Sequence, residues 1–257
     1  MNHALAFFRR PKGAAPLIIG HRGMSAPLPE NTIGAFEQAF AQGAHAIELD
    51  VLQCASGEPV VIHDPTLERL RGGADSRAIS SLCYQDLRRV DLGQGQHVPL
   101  LSEVLALARE RGAGVNVELK RETPDRKALI GAVARLVRTW DPSHPILVSS
   151  FDPAMLAAFK LAAPGIPVAY LIHRTWWTRY ALTLPGTLGV QAVHLERVIA
   201  QPALVRQLKS KGYIVNVWTV NSAAEARDLS ELGVDGIISD LPGRIKAAFP
   251  IQRIGDS

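Results

Sequence analysis

Residues 46–64 read AIELDVLQCASGEPVVIHD, and this stretch decides the fold. Two apolar runs, Ala46 to Val51 and Val60 to His63, are separated by a short link that contains Ser56-Gly57. A parallel crossover needs about a dozen residues or more, so the two runs are predicted to form an antiparallel hairpin. With the turn centred between positions 56 and 57, His63 is expected opposite Asp50.

Outward from this hairpin, short apolar runs alternate with amphipathic segments, the pattern typical of βα units around a parallel sheet. We predict an α/β fold, a distorted (β/α)8 TIM barrel with a β-hairpin extension and a small insertion after the second strand. The hairpin arm is extra to the eight barrel strands. The predicted strands are Leu17 to Gly20, Ala46 to Val51, Val60 to His63, Gly114 to Lys120, Ile146 to Phe151, Val168 to Ile172, Ala192 to Leu195, Ile214 to Val220 and Gly236 to Ser239.

Helical patterns that end at glycine follow several of these strands. They are Thr32 to Gln42, Leu101 to Arg111, Ala203 to Lys211 and Ala223 to Leu232. The segment at about 65–99 does not fit the βα rhythm and is predicted to be an insertion or lid over the rim of the second strand. We expect residues 1–257 to form one domain, because a barrel of this kind takes about 250 residues.

The amino-acid composition excludes several classes of protein and partner. Hydrophobic residues make up 47% and charged residues 20%, which excludes a disordered, collagen-like or coiled-coil chain. The net charge is +4 without a dense basic tract, which suits an anionic small-molecule substrate and gives no reason to expect nucleic acid. No apolar run of about 18 residues is present, so no stable membrane insertion is expected. Cys54 and Cys83 form no CxxC motif, and we expect a cytoplasmic protein.

Polar residues concentrate where the predicted strands end, which is where barrel enzymes carry their active sites. Glu48 and Asp50 are two residues apart on one strand and therefore point to the same side, as do Glu118 and Lys120. The candidate site residues are His21, Arg22, Glu48, Asp50, His63, Glu118, Lys120 and Trp218.

These residue types point to phosphoryl chemistry. Three converging carboxylates repel each other unless a cation lies among them, and oxygen ligands favour magnesium or calcium over zinc. The alternative is that each carboxylate pairs with Arg22, Lys120 or another base. His21 and His63 have the right side chain for an acid and base pair, and Arg22 and Lys120 suit phosphate oxygens. Trp218 is predicted either to pack in the core or to cover the apolar side of a small polyol.

Residues near these candidates have simpler predicted roles. Asn31 or Thr32 is predicted to cap the first helix, with Glu30 as a weaker candidate for orienting the site. Asp240 either caps the last segment or supports the first strand. The histidines predicted to be structural are His3, His45, His97, His144, His173 and His194.

The chain resembles the glycerophosphodiester phosphodiesterase family over nearly its whole length. The matching stretches include Gly20-His21-Arg22-Gly23, Pro29-Glu30-Asn31-Thr32, Glu48-Leu49-Asp50, His63-Asp64, Glu118-Leu119-Lys120, Trp218-Thr219-Val220-Asn221 and Ile238-Ser239-Asp240. Two positions depart from the family pattern, Cys54 and the pair Leu70-Arg71, where such proteins often have threonine.

The resemblance implies a metal-dependent hydrolase of lipid and glycerol metabolism. It implies that glycerophosphodiesters such as glycerophosphocholine and glycerophosphoethanolamine are cleaved to glycerol 3-phosphate and an alcohol. Glu48, Asp50 and Glu118 would bind one divalent cation, magnesium or calcium, and Arg22 and Lys120 would hold the phosphate. His21 and His63 would be the acid and base, with His21 favoured as the base of a first step that forms a cyclic phosphate.

Two other functions remain as alternatives. A lysophospholipase D or phosphoinositide-type phospholipase would need an apolar entrance, for which the candidates are Phe159, Leu161, Trp176, Trp177 and Tyr180. A barrel that binds phosphodiesters without cleaving them is the second alternative, although such a protein has no use for a proton-transfer pair. A homodimer is compatible with either function.

Overall fold

Eight parallel strands close into a barrel in the part of the chain that the structure describes. The structure is a computed structural model that covers residues 3–11, 13–24 and 26–249. The order β1-β2-β4-β5-β6-β7-β8-β9 returns to β1, with β3 as an antiparallel arm on β2, so the predicted fold class is confirmed. The strands are β1 (Leu17–His21), β2 (Ala46–Gln53), β3 (Pro59–Val61), β4 (Gly114–Leu119), β5 (Ile146–Ser150), β6 (Val168–Ile172), β7 (Ala192–Glu196), β8 (Ile214–Trp218) and β9 (Gly236–Ser239).

Helices cover the outer face of the barrel and bury their apolar sides against it. Thr32 is the N-cap of α2, because its Oγ1 accepts from the Ala35 amide at 3.3 Å. The helices are α1 (His3–Phe8), α2 (Ile33–Ala41), α3 (Tyr84–Leu87), α4 (Leu101–Glu110), α5 (Arg126–Arg138), α6 (Pro153–Ala162), α7 (Thr178–Ala181), α8 (Leu184–Leu188), α9 (Pro202–Ser210), α10 (Ala223–Glu231) and α11 (Pro242–Ala247), with short 3-10 helices at Ile79–Ser81 and Arg197–Ile199.

The predicted hairpin is confirmed, but its predicted register is wrong by one residue. Val51 pairs with Val61, and the Ile62 amide donates to the Asp50 carbonyl, so Asp50 lies opposite residue 62 and not His63. The reason is the length of the turn. The prediction centred the turn between residues 56 and 57, whereas the observed turn has three residues and ends at Gly57, which has a φ of 94°. Since β3 ends at Val61, His63 follows the strand and still reaches the rim.

Helix α1 closes the N-terminal end of the barrel. Phe8 is fully buried and packs into the barrel interior beside Ile19 and Leu147. A Cβ atom at Gly114 would collide with the Phe7 ring, so the first strand residue of β4 must be small. The apolar run before Arg9 is therefore a plug, a role that its sequence did not reveal. The C-terminal end of the barrel, at the other side, is open and can hold an active site.

The insertion builds a second, smaller core against the hairpin. Its apolar side chains, among them Leu67, Ile79 and Leu87, pack on Leu52 and Val60. An isolated bridge between Thr66 and Ala78 folds the segment back on itself. The placement over the rim of the second strand agrees with the interpretation as an insertion there. That residues 1–257 form one domain stays a prediction.

Candidate active site

A cavity of about 280 Å³ opens at the C-terminal ends of the strands. It brings together seven of the eight candidate residues, and Asp50 lies buried between Arg22 and Lys120. One side of the cavity is charged and the other is apolar. The lining residues are His21, Arg22, Glu48, His63, Glu118, Lys120, Phe151, Leu171, His173, Trp218 and Ile238.

His21 ends β1 and is held by a carboxylate from the far end of the chain. Its Nδ1 lies 2.6 Å from Asp240 Oδ1, and Asn221 donates to the other Asp240 oxygen at 2.7 Å. Burial lowers the pKa of His21, but the Asp240 hydrogen bond and the Glu48 charge outweigh burial and raise it above its usual value. Of the two predicted roles for Asp240, the support of the first strand is therefore confirmed.

His63 has an equivalent arrangement with its own neighbour in sequence. Its Nδ1 lies 2.6 Å from Asp64 Oδ1, and the Arg69 guanidinium of the insertion donates to the other Asp64 oxygen. Arg69 also donates to Glu30, which accepts from Arg22 at 2.9 Å. Burial lowers the pKa of His63 below its usual value, although the Asp50 charge opposes the shift. The insertion thus contributes to the position of His63.

Three buried carboxylates form a compact oxygen cluster at the charged side of the cavity. One ligand atom from each of Glu48, Asp50 and Glu118 lies within 4.8 Å of the other two. Burial, reinforced by the Asp50 charge, raises the pKa of Glu48 to about 7 and that of Glu118 to about 8. Both shifts come first from burial, and the neighbouring Asp50 charge adds to them. The donor set is all oxygen and fits magnesium or calcium.

Two cations partly neutralise this cluster. Lys120 Nζ lies 3.1 Å from Glu118 and 3.3 Å from Asp50, and Arg22 Nε lies 3.2 Å from Asp50. Burial raises the pKa of Asp50, but the charges of Lys120 and Arg22 outweigh it and lower the pKa to about 2. The alternative in which carboxylates pair with these bases is therefore realised for Asp50 and Glu118, whereas Glu48 accepts from the Arg22 amide and lies 4.0 Å from His21 Nε2.

The turn after β1 has an unusual backbone that places Arg22 and Asn31. Both residues have positive φ, 51° and 59°. Gly23 is required because a Cβ atom there would lie 2.7 Å from the Ala35 carbonyl. The Arg22 amide donates to Glu48, and the Asn31 side chain donates to Asp50 at 2.9 Å. Asn31 therefore orients a carboxylate and does not cap the helix.

The apolar side of the cavity is an aromatic wall. The centroid of the Phe151 ring lies 5.6 Å from that of Trp218 and 5.0 Å from that of His173, and both pairs have edge-to-face geometry. Trp218 is therefore at the cavity and not in the closed core. His173, predicted to be structural, lines the cavity as well. His194 is fully buried within the barrel, as a structural histidine should be.

Comparison with known proteins matches residues 21–244 to the Glycerophosphoryl diester phosphodiesterase family. The chain belongs to this family. A glycerophosphodiester phosphodiesterase of Bacillus altitudinis is 32% identical over 239 residues, which cover 88% of this chain and 95% of the relative. One from Caldanaerobacter subterraneus is 29% identical over 233 residues, which cover 88% of this chain and 94% of the relative.

Solved structures support the same family. A phosphodiesterase of Oleispira antarctica, in complex with the product sn-glycerol-3-phosphate, has a TM-score of 0.82 and 28% identity, covering 91% of this chain and 96% of its own. Glycerophosphodiester phosphodiesterase from Thermotoga maritima has a TM-score of 0.77 and 27% identity, covering 91% and 98%. As a member of the glycerophosphoryl diester phosphodiesterase family, the protein is a phosphodiester hydrolase, and the non-catalytic alternative is set aside.

The lipid-substrate alternative gains no support from its candidate entrance. Phe159 is fully buried in the core, and Leu161 lies in the last turn of α6, toward the opposite end of the barrel. Trp177 is half-buried and packs against the core. Only Trp176 and Tyr180 of the five are exposed near the mouth.

Sequence reasoning missed Asp64 and Arg69, the residues that support His63. Asp64 follows His63 directly, so the pair itself was a signal. Arg69 lies in a segment without βα rhythm, and its contact with Asp64 depends on how the insertion folds.

Proposed function

We propose that this protein hydrolyses glycerophosphodiesters, such as glycerophosphocholine and glycerophosphoethanolamine, to glycerol 3-phosphate and an alcohol, with magnesium or calcium as cofactor. The observation that carries the proposal is one cavity with two carboxylate-supported histidines beside three clustered carboxylates. The product bound by the Oleispira antarctica phosphodiesterase supports the same substrate class.

The two histidines move protons in this mechanism. Because Asp240 and Asp64 engage the Nδ1 atoms, Nε2 of each ring is the nitrogen available to substrate. In the first step one Nε2 takes the proton of the neighbouring glycerol hydroxyl, whose oxygen attacks phosphorus, and the other Nε2 donates a proton to the departing alcohol oxygen. In the second step the roles exchange: the ring that gave its proton takes one from the attacking water, and the ring that took a proton returns it to the glycerol oxygen as the cyclic phosphate opens. The carboxylates fix the tautomer and orientation of the two rings.

The charged side of the cavity binds the phosphate. Arg22 and Lys120 supply positive charge and hydrogen-bond donors for the phosphoryl oxygens. Glu48, Asp50 and Glu118 would hold the divalent cation, which supplies positive charge for the phosphoryl oxygens in the transition state. The aromatic wall that includes Trp218 covers the apolar carbons of the glycerol and excludes water from that side.

The activity test is release of glycerol 3-phosphate from glycerophosphocholine, followed with a coupled dehydrogenase, with and without chelator. We expect release that chelation abolishes and magnesium or calcium restores. His63→Ala and His21→Ala should each lower kcat by about a hundredfold or more. His97→Ala is the matched control, since this exposed histidine does not line the cavity. Full activity after exhaustive chelation would contradict the metal site.

A substrate with a different leaving group distinguishes the general acid from the general base. A nitrophenyl ester of glycerol phosphate has a leaving group that departs without a proton, so loss of the acid should matter little. We propose His21 as the base and His63 as the acid, the assignment that the family resemblance favours, although the raised pKa of His21 and the lowered pKa of His63 in the free protein favour the reverse. His63→Ala should then be largely rescued with the nitrophenyl substrate and His21→Ala should not. The reverse pattern would exchange the two roles.

We also propose a cytoplasmic location. Cys54 and Cys83 are both free thiols, which suits a reducing compartment. Within the described ranges, no helix has the length and apolar character needed to cross a membrane. Fractionation of the native cells with an antibody to the protein tests the proposal, and recovery in an oxidising compartment would contradict it.

A further inference from the structure

Two neighbouring loops at the mouth of the barrel carry an exposed aromatic and basic surface. The described residues include four large hydrophobic side chains that are exposed, and three of them are Trp176 (92% exposed), Tyr180 (71%) and Val198 (38%). These three follow the adjacent strands β6 and β7. Together with Arg174 and Arg179 they are named the rim patch.

The rim patch lies beside the cavity. Strand β6 ends at Ile172, the next residue, His173, lines the cavity, and the patch begins at Arg174. The Arg174 amide donates to Glu196 at the end of β7 with a distance of 2.7 Å, which joins the two loops. A surface that covered the patch would therefore lie next to the cavity mouth.

The two arginine side chains of the rim patch form no ion pair with any described residue, and the neighbouring Glu196 carboxylate contacts the Arg174 backbone amide. Arg174 and Arg179 are exposed, and neither guanidinium has an ion-pair partner within the described ranges. Arg197 in the second loop differs, because it lies 3.5 Å from Glu225. Across a two-fold axis between two copies of the chain, like charges would face each other, which disfavours self-association. Exposed tryptophan and tyrosine beside unpaired arginine match the headgroup layer of an anionic membrane.

We propose that the rim patch docks the barrel on the surface of an anionic phospholipid membrane. Trp176 and Tyr180 enter the headgroup layer, and Arg174 and Arg179 contact lipid phosphates. The contact is peripheral and leaves the cavity mouth beside the lipid surface. This interaction goes beyond the proposed hydrolysis and does not depend on it.

Co-sedimentation with lipid vesicles tests the docking. The full chain should bind vesicles of equal parts phosphatidylglycerol and phosphatidylcholine, bind pure phosphatidylcholine weakly, and be released by salt. Trp176→Ala with Tyr180→Ala should weaken binding about tenfold or more. Arg174→Gln with Arg179→Gln should also weaken it about tenfold. Leu161→Ala removes an 87% exposed apolar side chain at the last turn of α6 and should bind like wild type.

The outcomes separate docking from other roles of the patch. Absence of binding to the anionic vesicles, or an equal loss in the Leu161→Ala control, would overturn the proposal. So would a dimer in analytical ultracentrifugation that the Trp176→Ala, Tyr180→Ala variant dissolves while vesicle binding is unchanged. Vesicle binding is measured without substrate, so failure of the proposed hydrolysis would not affect this test. Circular dichroism confirms that each variant is folded.

Discussion

Acid pH should destabilise this barrel through His194, which lies in the interior strand layer next to the candidate site. The ring is fully buried, its Nε2 accepts from Asn216 Nδ2 at 3.0 Å, and its Nδ1 has no hydrogen-bond partner among the described residues. Its backbone carbonyl also accepts from the Trp218 indole at 3.4 Å. Burial lowers the pKa of His194 from 6.5 to about 3, because a charged ring cannot be solvated there.

The sign and size of the effect follow from this shift. Between pH 6.5 and 3 the unfolded chain binds a proton at this position and the folded chain does not, so stability falls as the pH decreases. Above pH 6.5 the ring is neutral in both states, so the contribution of His194 to the free energy of unfolding is at its maximum. It decreases by about 2 kcal/mol at pH 5, and by about 5 kcal/mol below the folded pKa, from about 1.4 kcal/mol per pKa unit.

Urea unfolding at pH 8 and pH 5, with chelator throughout, measures the effect. The His194→Gln variant has no titrating group at this position, so it should lose about 2 kcal/mol less than wild type between the two pH values. His97→Gln is the control for removal of an exposed histidine. The same pH-dependent loss in wild type and His194→Gln would refute the reasoning. NMR of the wild-type ring gives a second readout, since it should remain neutral at pH 5.

Three further predictions concern the site and its scaffold. Asp64→Asn and Asp240→Asn remove the carboxylates that orient the two histidines, and each should lower kcat by roughly a hundredfold without unfolding the protein; a wild-type rate would exclude the orienting role. Phe8→Ala empties the plug of the barrel and should lower the free energy of unfolding by about 3–5 kcal/mol, whereas the exposed Leu161→Ala should change it by less than about 0.5 kcal/mol. Gly23→Ala places a Cβ atom against the Ala35 carbonyl at positive φ, so thermal unfolding should show a loss of about 1–3 kcal/mol, and unchanged stability would contradict the close approach.

Much of the fold could be predicted because its signals are local. The short link after Gln53 excludes a crossover, and this alone separates the extra arm from the eight barrel strands. The same-side spacing of Glu48 and Asp50 holds for any extended strand. The hairpin register was missed because one residue more or less in the turn leaves the apolar pattern almost unchanged, although it moves every later side chain to the other face.

Residue type left two roles open for Asp240 and indicated none for Arg69, because the support of the site depends on contacts between distant segments. Asp240 and His21 are 219 residues apart in sequence, and only closure of the barrel between β9 and β1 brings them together. The Arg69 contact with Asp64 and Glu30 likewise needs the folded insertion.

The sequence by itself determined the barrel, the identity of the residues at its rim and the class of chemistry that they suit. These properties follow from strand periodicity and from residue type, which are present in the linear chain. The tertiary structure decided which groups act on one another: the carboxylate behind each histidine, the closeness of the three acidic oxygens and the exposure of the rim patch. Distances and burial fix pKa values and accessibility, and neither exists before the chain has folded.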